Sequence, residues 1–169
     1  KNSKSQKYLV EQLQSHSISR EYSAIVYGYM ISGGSIEEPI GRDPKDRVKQ
    51  AIVSNGKDAT THFRVIDRFK SHTHVKAILE TGRTHQIRVH LSHIGHPLIG
   101  DPMYGGRVRF PKKASIDLKD SLINFKRQAL HSKKLTLTHP ISGENMSWTS
   151  KLPDDMMKLL EVLQEFDSE

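Results

Sequence analysis

Arg83, Arg88, His85 and His90 lie in one unbroken run, Thr81-Gly82-Arg83-Thr84-His85-Gln86-Ile87-Arg88-Val89-His90. Guanidinium groups make paired, planar hydrogen bonds to phosphate or carboxylate. The start of a helix adds unpaired backbone N–H donors that suit an anion. A glycine turn followed by polar residues and two arginines is therefore chemistry for binding a phosphodiester. The same residues also suit a plain surface helix with a basic polar face and locally bonded histidines. His90, His93 and His96 recur every three residues with Asp101 nearby, which raises a metal site. A zinc-binding HExxH helix instead pairs histidines four apart around a glutamate. That pattern is missing, and His96 follows the helix stop at Gly95, so no metal is expected.

The elements that must hold these groups follow from periodicity and turn residues. Gln6–Ser15 has Tyr8, Leu9 and Leu13 at helical spacing, with no capping signal ahead of it. Arg20–Met30 is rich in aromatic and β-branched residues and reads as a strand. Ser32-Gly33-Gly34 turns the chain, Ser35–Ile40 returns along the strand before it up to a proline-punctuated loop, and Arg42–Lys49 is a charged loop. Asn55-Gly56 between Gln50–Val53 and Thr60–Phe69 predicts a hairpin joining those two strands. His74–Glu80 follows through a tight turn. Ile87, Leu91 and Ile94 then mark one face of a helix that Gly95 and His96-Pro97 end. Leu98–Gly106 is a Gly/Pro/Asp loop, and Arg107–Lys113 is a basic one. A short helix over Asp117–Lys126 comes next, then a hairpin of Leu130–Thr138 with Asn145–Thr149. A final helix opens at Pro153-Asp154-Asp155 and continues through Met157, Leu160 and Leu163. The predicted class is α+β, a mostly antiparallel mixed sheet with a few packed helices.

Composition narrows the function. The chain has 169 residues, a net charge of +7 and 35% hydrophobic residues, enough for one domain with a modest core. Residues 70–134 carry 13 basic and 4 acidic side chains, whereas residues 135–169 carry 2 basic and 7 acidic. A positive middle followed by an acidic end points to a polyanionic partner met by one face. With no cysteine, disulfide scaffolds and thiol nucleophiles are excluded. The lack of cysteine makes a reducing cytoplasm the expected compartment, and no apolar run approaches the roughly 18 residues of a membrane span, so no membrane partner is expected.

The run from Thr81 to His90, continued by Gly95-His96-Pro97 and Gly100-Asp101, resembles the signature of the large ribosomal pseudouridine synthase family. Arg20-Glu21-Tyr22 resembles that family's tyrosine strand, and Ala129-Leu130-His131 with His139-Pro140 its late strand. The resemblance implies an isomerase that turns specific uridines of large-subunit ribosomal RNA into pseudouridine, acting on a base flipped out of the RNA. It implies a monomer that needs neither cofactor nor metal. Tyr22 is implied to stack on the uracil, Arg88 to pair with the catalytic aspartate, and Leu130 to line the base pocket. Arg83, Thr84, His85 and Gln86 are implied to bind substrate. The family's His-Arg-Leu-Asp motif has no counterpart here: no aspartate precedes Asp43, and Asp101 is expected to tie its own loop. Because the chain opens at Lys1, residues 1–169 are expected to be the C-terminal part of the catalytic domain. The aspartate motif and an N-terminal RNA-binding domain would then lie outside it, leaving this piece inactive alone. The alternative is an RNA-binding module in ribosome assembly, without catalysis.

Overall fold

The computed structural model describes residues 2–168. Its spine is a sheet of six strands: β1 (Ser19–Tyr27), β2 (Gly34–Glu37), β5 (Thr60–Arg68), β6 (His72–Leu79), β7 (Leu130–Thr138) and β8 (Asn145–Thr149). They lie side by side in the order β2-β5-β6-β1-β7-β8. Every neighbouring pair is antiparallel. A separate ribbon pairs β3 (Ile40–Arg42) with β4 (Gln50–Ile52). The α+β expectation holds.

Side-chain alternation along β1 sends alternate residues to opposite faces. Ile25 and Tyr27 join Leu118 and Leu122 of α3 (Ile116–Asn124) and Met156, Leu159, Leu163 and Phe166 of α4 (Asp154–Ser168). Ala24 and Val26 face the other way, where Phe63, Val75, Ala77 and Leu79 meet Ile87 and Leu91 of α2 (Gln86–His93). The sheet is thus covered by α3 and α4 on one side and by α2 on the other. Among the described residues, no helix is long and apolar enough to cross a membrane.

Four sequence expectations need correction. The first helix, α1 (Ser3–Gln14), does have a cap: the Asn2 side chain accepts a hydrogen bond from Ser5 N–H. The predicted Asn55-Gly56 hairpin does not join β4 to β5, because β4 pairs with β3. Neither Asn55 nor Gly56 takes the positive φ that a primed hairpin turn requires. Gly56 serves a close approach instead, since a Cβ there would sit 2.7–2.9 Å from the Ile40 backbone. The segment after Ser32-Gly33-Gly34 pairs with β5, not with the strand it follows. In α4 the buried stripe runs through Met156 and Leu159, one residue before Met157, which is 42% exposed.

His72 opens β6 at 1% exposure and packs its ring 5.3 Å from that of Tyr27. Burial lowers its pKa to about 4. A depressed histidine pKa means that the unfolded chain binds the proton more readily, so the native state is undisturbed above pH 6.5 and loses stability as pH falls from there towards 4. Full protonation should cost about 3 kcal/mol. His72→Leu should flatten the decline between pH 6.5 and 4 in thermal melts, and an unchanged profile would remove this role.

Candidate active site

The segment between β6 and α2 is organised by one amide. Gln86 is 2% exposed, and its Oε1 accepts from Thr81 Oγ1 at 2.8 Å and from Arg83 N–H at 2.9 Å. Its Nε2 donates to the Thr60 carbonyl at 2.9 Å and to Thr61 Oγ1 at 3.0 Å. Thr61 in turn contacts His90 Nδ1 at 2.9 Å, and His90 Nε2 lies 3.0 Å from the Glu38 carbonyl. A carbonyl only accepts, so the proton sits on Nε2 and Nδ1 takes the Thr61 hydroxyl proton. His90 is fully buried, and burial lowers its pKa, which keeps the ring neutral. With both nitrogens engaged inside the protein, His90 has no lone pair free for a metal. Among the described residues, no three His, Asp or Glu side chains are placed to hold one.

This lock presents the next residues outward. His85 takes a left-handed conformation, φ 57, as the N-cap of α2, with no side-chain capping bond. Thr84 beside it is exposed, and Arg83 is half-buried with its Nε on the Asp58 carbonyl at 2.9 Å. Gly82 lets Arg20 of β1 pass directly over the turn, where a Cβ would collide with the guanidinium.

Arg88 points from α2 into the loop that follows it. Its Nε and Nη2 meet the two oxygens of Asp101 at 2.8 and 2.7 Å, a bidentate pair with the carboxylate fully buried. Asp101 Oδ1 also accepts from the Met103 and Tyr104 amides at 2.9 and 3.0 Å, so it ties its own loop as expected. Burial alone would raise its pKa, but Arg88 and the two amides outweigh that and hold it below the usual carboxylate range. Nη1 of Arg88 makes no hydrogen bond among the described residues.

Tyr104, which no local motif marks as a site residue, completes the group. Its ring lies 4.8 Å from the Arg88 guanidinium, and its hydroxyl accepts from Gln50 N–H at 2.9 Å. The phenol proton is then directed at His85 Nδ1, 3.0 Å away. Burial lowers the His85 pKa, with Arg88 adding to the effect. The loop's start is fixed by Gly100, φ +69, where a Cβ would run into the Arg127 and Phe125 carbonyl oxygens. Tyr104 stands in the Gly-Asp-Pro run, but only the folded-back loop reveals its partners.

Tyr22 and Leu130 come from elsewhere. Both are half-buried and pack against the cluster that contains Ile87 and Leu91 of α2. They share one sheet face, because Tyr22 is paired with Ser132 and Ala24 with Leu130. A bulge lies beside Tyr22, where Glu21 faces Lys134 and Tyr22 faces Ser132, leaving Lys133 as the extra residue. Such bulges re-aim neighbouring side chains. The motif residues from Arg83 to Arg88 are therefore contiguous at the start of α2, with Tyr22 and Leu130 reaching the same core from the sheet.

A family model described as RNA pseudouridylate synthase matches residues 1–93, a span that includes Tyr22 and every residue from Arg83 to Arg88. The chain belongs to that family. Ribosomal large subunit pseudouridine synthase D of Pseudomonas aeruginosa is 55% identical over 157 residues, covering 93% of this chain and 49% of the relative. The protein of the same name from Escherichia coli is 52% identical over 156 residues, covering 92% and 48%. The chain thus spans about half the length of the curated relatives it matches. Among solved structures, human RNA pseudouridylate synthase domain containing 4 is similar, with a TM-score of 0.74, 25% identity, and coverage of 96% of this chain and 69% of that one. Human RNA pseudouridylate synthase domain containing 1 shares the fold, with a TM-score of 0.69 at 22% identity, covering 96% and 72%.

The ion pair sets a stability prediction for this chain. Asp101→Asn leaves the Arg88 guanidinium buried without a counter-charge and should cost about 3 kcal/mol. At this chain length that is a fall in Tm of roughly 10 °C. A thermal melt within about 2 °C of the parent, less than the shift for 1 kcal/mol, would contradict it.

Proposed function

We propose that this chain is the base-binding part of a pseudouridine synthase that isomerises uridines in large-subunit ribosomal RNA. The observation that carries the reading is the family match over a span containing both Tyr22 and Arg88. The names of the relatives that are 52–55% identical supply the substrate class. The reaction breaks the bond from N1 to the ribose, turns the base, and joins C5 to the same ribose carbon. The C5 proton leaves and N1 gains one, so nothing is oxidised and no water is consumed. Neither a cofactor nor a metal is needed for that balance.

Within this reading Tyr22 stacks on the everted uracil, and Leu130 forms another wall of its pocket. Arg88 already neutralises Asp101 through two nitrogens, and its Nη1 is the edge left for the catalytic carboxylate. On this reading that carboxylate belongs to the family's His-Arg-Leu-Asp motif, which the 169 residues lack, and Asp101 is not offered for it, being buried under Arg88 and two amides. Arg83, Thr84 and His85 contact the RNA backbone, and Gln86 holds them in place from beneath. The enzyme acts as a monomer in the cytoplasm. An RNA-binding assembly factor without catalysis predicts the same binding face but no release of the C5 proton.

Tritium release from C5-labelled ribosomal RNA tests this. The 169 residues alone should release none; release by them would show that the nucleophile is inside the chain. In the longer protein, Arg88→Ala and Arg88→Lys should both lower the rate about 100-fold or more, because lysine cannot reproduce the planar fork. Tyr22→Ala should lower it roughly tenfold or more by removing the stacking partner of the base. A normal rate in these variants would overturn the assigned roles, and no release by the longer protein would favour the assembly factor.

A further inference from the structure

Arg107-Val108-Arg109-Phe110-Pro111-Lys112-Lys113 plays no part in the site above. It carries four cations in seven residues, and no acidic residue occurs between Asp101 and Asp117. All four basic side chains are exposed. Between them, Phe110 is 46% and Val108 40% exposed, large apolar groups left in solvent. A purely solubilising loop has no use for an exposed phenyl ring among its charges.

The loop is also anchored. The Arg109 guanidinium lies 5.6 Å from the ring centre of Tyr27, a residue of the core. Ala114 is buried and its N–H closes a turn onto the Pro111 carbonyl at 3.2 Å. Lys113 takes a left-handed conformation, φ 61, at that turn. A cavity of about 200 Å³ opens below, walled by Val108, Ile123 and Phe125, with Lys126 adding a fifth cation. The same cavity is bounded by Asp101, the partner of Arg88, so it adjoins the candidate active site.

Interleaved cations and an exposed ring are what an unpaired nucleic-acid strand needs: phosphates meet the cations, and a base stacks on the ring whatever its sequence. We propose that the Arg107–Lys113 loop is a second RNA contact, where an unpaired nucleotide flanking the target uridine stacks on Phe110. This rests on the synthase reading for the identity of the RNA. The phosphates on either side of that nucleotide lie along Arg107, Arg109, Lys112 and Lys113. The loop thereby holds the strand open beside the pocket into which the target is flipped.

The test uses the full chain and a short single-stranded uridine-rich oligoribonucleotide carrying one fluorescent purine analogue. Wild type should quench the analogue on binding, and Phe110→Ala should abolish the quenching and weaken affinity roughly tenfold at every salt concentration. Lys112→Gln with Lys113→Gln should instead reduce the salt dependence, by about 0.7 in the log–log slope for each phosphate that is no longer neutralised. Thermal melts of both variants should match the parent, since none of these side chains is buried. If Phe110→Ala binds and quenches as wild type does, the stacking role is overturned, even where the lysine variant binds more weakly. A fully paired RNA that binds as tightly as the single strand, without quenching, would overturn it too. Tritium release by the longer protein is a separate signal: its absence with Phe110-dependent quenching intact would sink the synthase reading and support this contact.

Discussion

Two hydrogen bonds of 2.7 and 2.8 Å between Arg88 and Asp101 join the helix of the family motif to the loop that comes after it. A buried ion pair of this kind is not a large net source of stability, because desolvation takes back most of the attraction. What it provides is position. Asp101 accepts the Met103 and Tyr104 amides with the same oxygen that meets Nη2 of Arg88, so one carboxylate oxygen ties the loop's backbone to the helix. Tyr104 is thereby set under Arg88 and against His85, and the loop, the helix start and the β3–β4 ribbon are held together through Gln50.

The remaining constraint comes from the buried amide of Gln86. It joins two threonines, the Arg83 backbone and the Thr60 carbonyl, and through Thr61 it reaches His90 and the segment at Glu38. Every donor and acceptor in this chain of bonds has a partner inside the protein, as buried polar groups require. The outward residues Thr84 and His85 are therefore presented by a rigid base and need no side-chain cap of their own. The shape of this surface is thus set by side chains buried beneath it.

Much of this was legible in the sequence where the signal is local. Gly95 ends α2 with φ +83, as its placement before His96-Pro97 foretold. The β5–β6 and β7–β8 hairpins, and the single face of Ile87 and Leu91, followed from periodicity. Asn55-Gly56 misled because the turn chemistry was right for a hairpin while the tertiary need lay elsewhere, in the approach of Gly56 to Ile40. At the start of α4 the stripe falls on Met156 and Leu159 rather than Met157 and Leu160, because Met156 and Met157 are both apolar and only packing separates them, whereas Leu163 is buried. Arg83 to Arg88 stood out as one run, whereas Tyr22 and Leu130 came in only through family resemblance. Their meeting depends on strand pairing between positions far apart in the chain. Tyr104 was invisible as a site residue because its partners come from two other segments.

The extra residue in β7 reverses parity along that strand. Before it, Leu130 and Ser132 share the face of Ala24 and Tyr22; beyond it, Lys134 shares the face of Glu21, and Leu135 lies opposite Arg20. Even-numbered residues thus line the Tyr22 side at one end of β7 and odd-numbered ones at the other. Leu130, Leu135 and Leu137, which no single alternation could align, come to one side, and Met146 and Trp148 of β8 extend the row opposite Leu137 and Leu135. Removing one residue at Lys133 would act as a frameshift in three dimensions, turning half the strand inside out without changing another side chain.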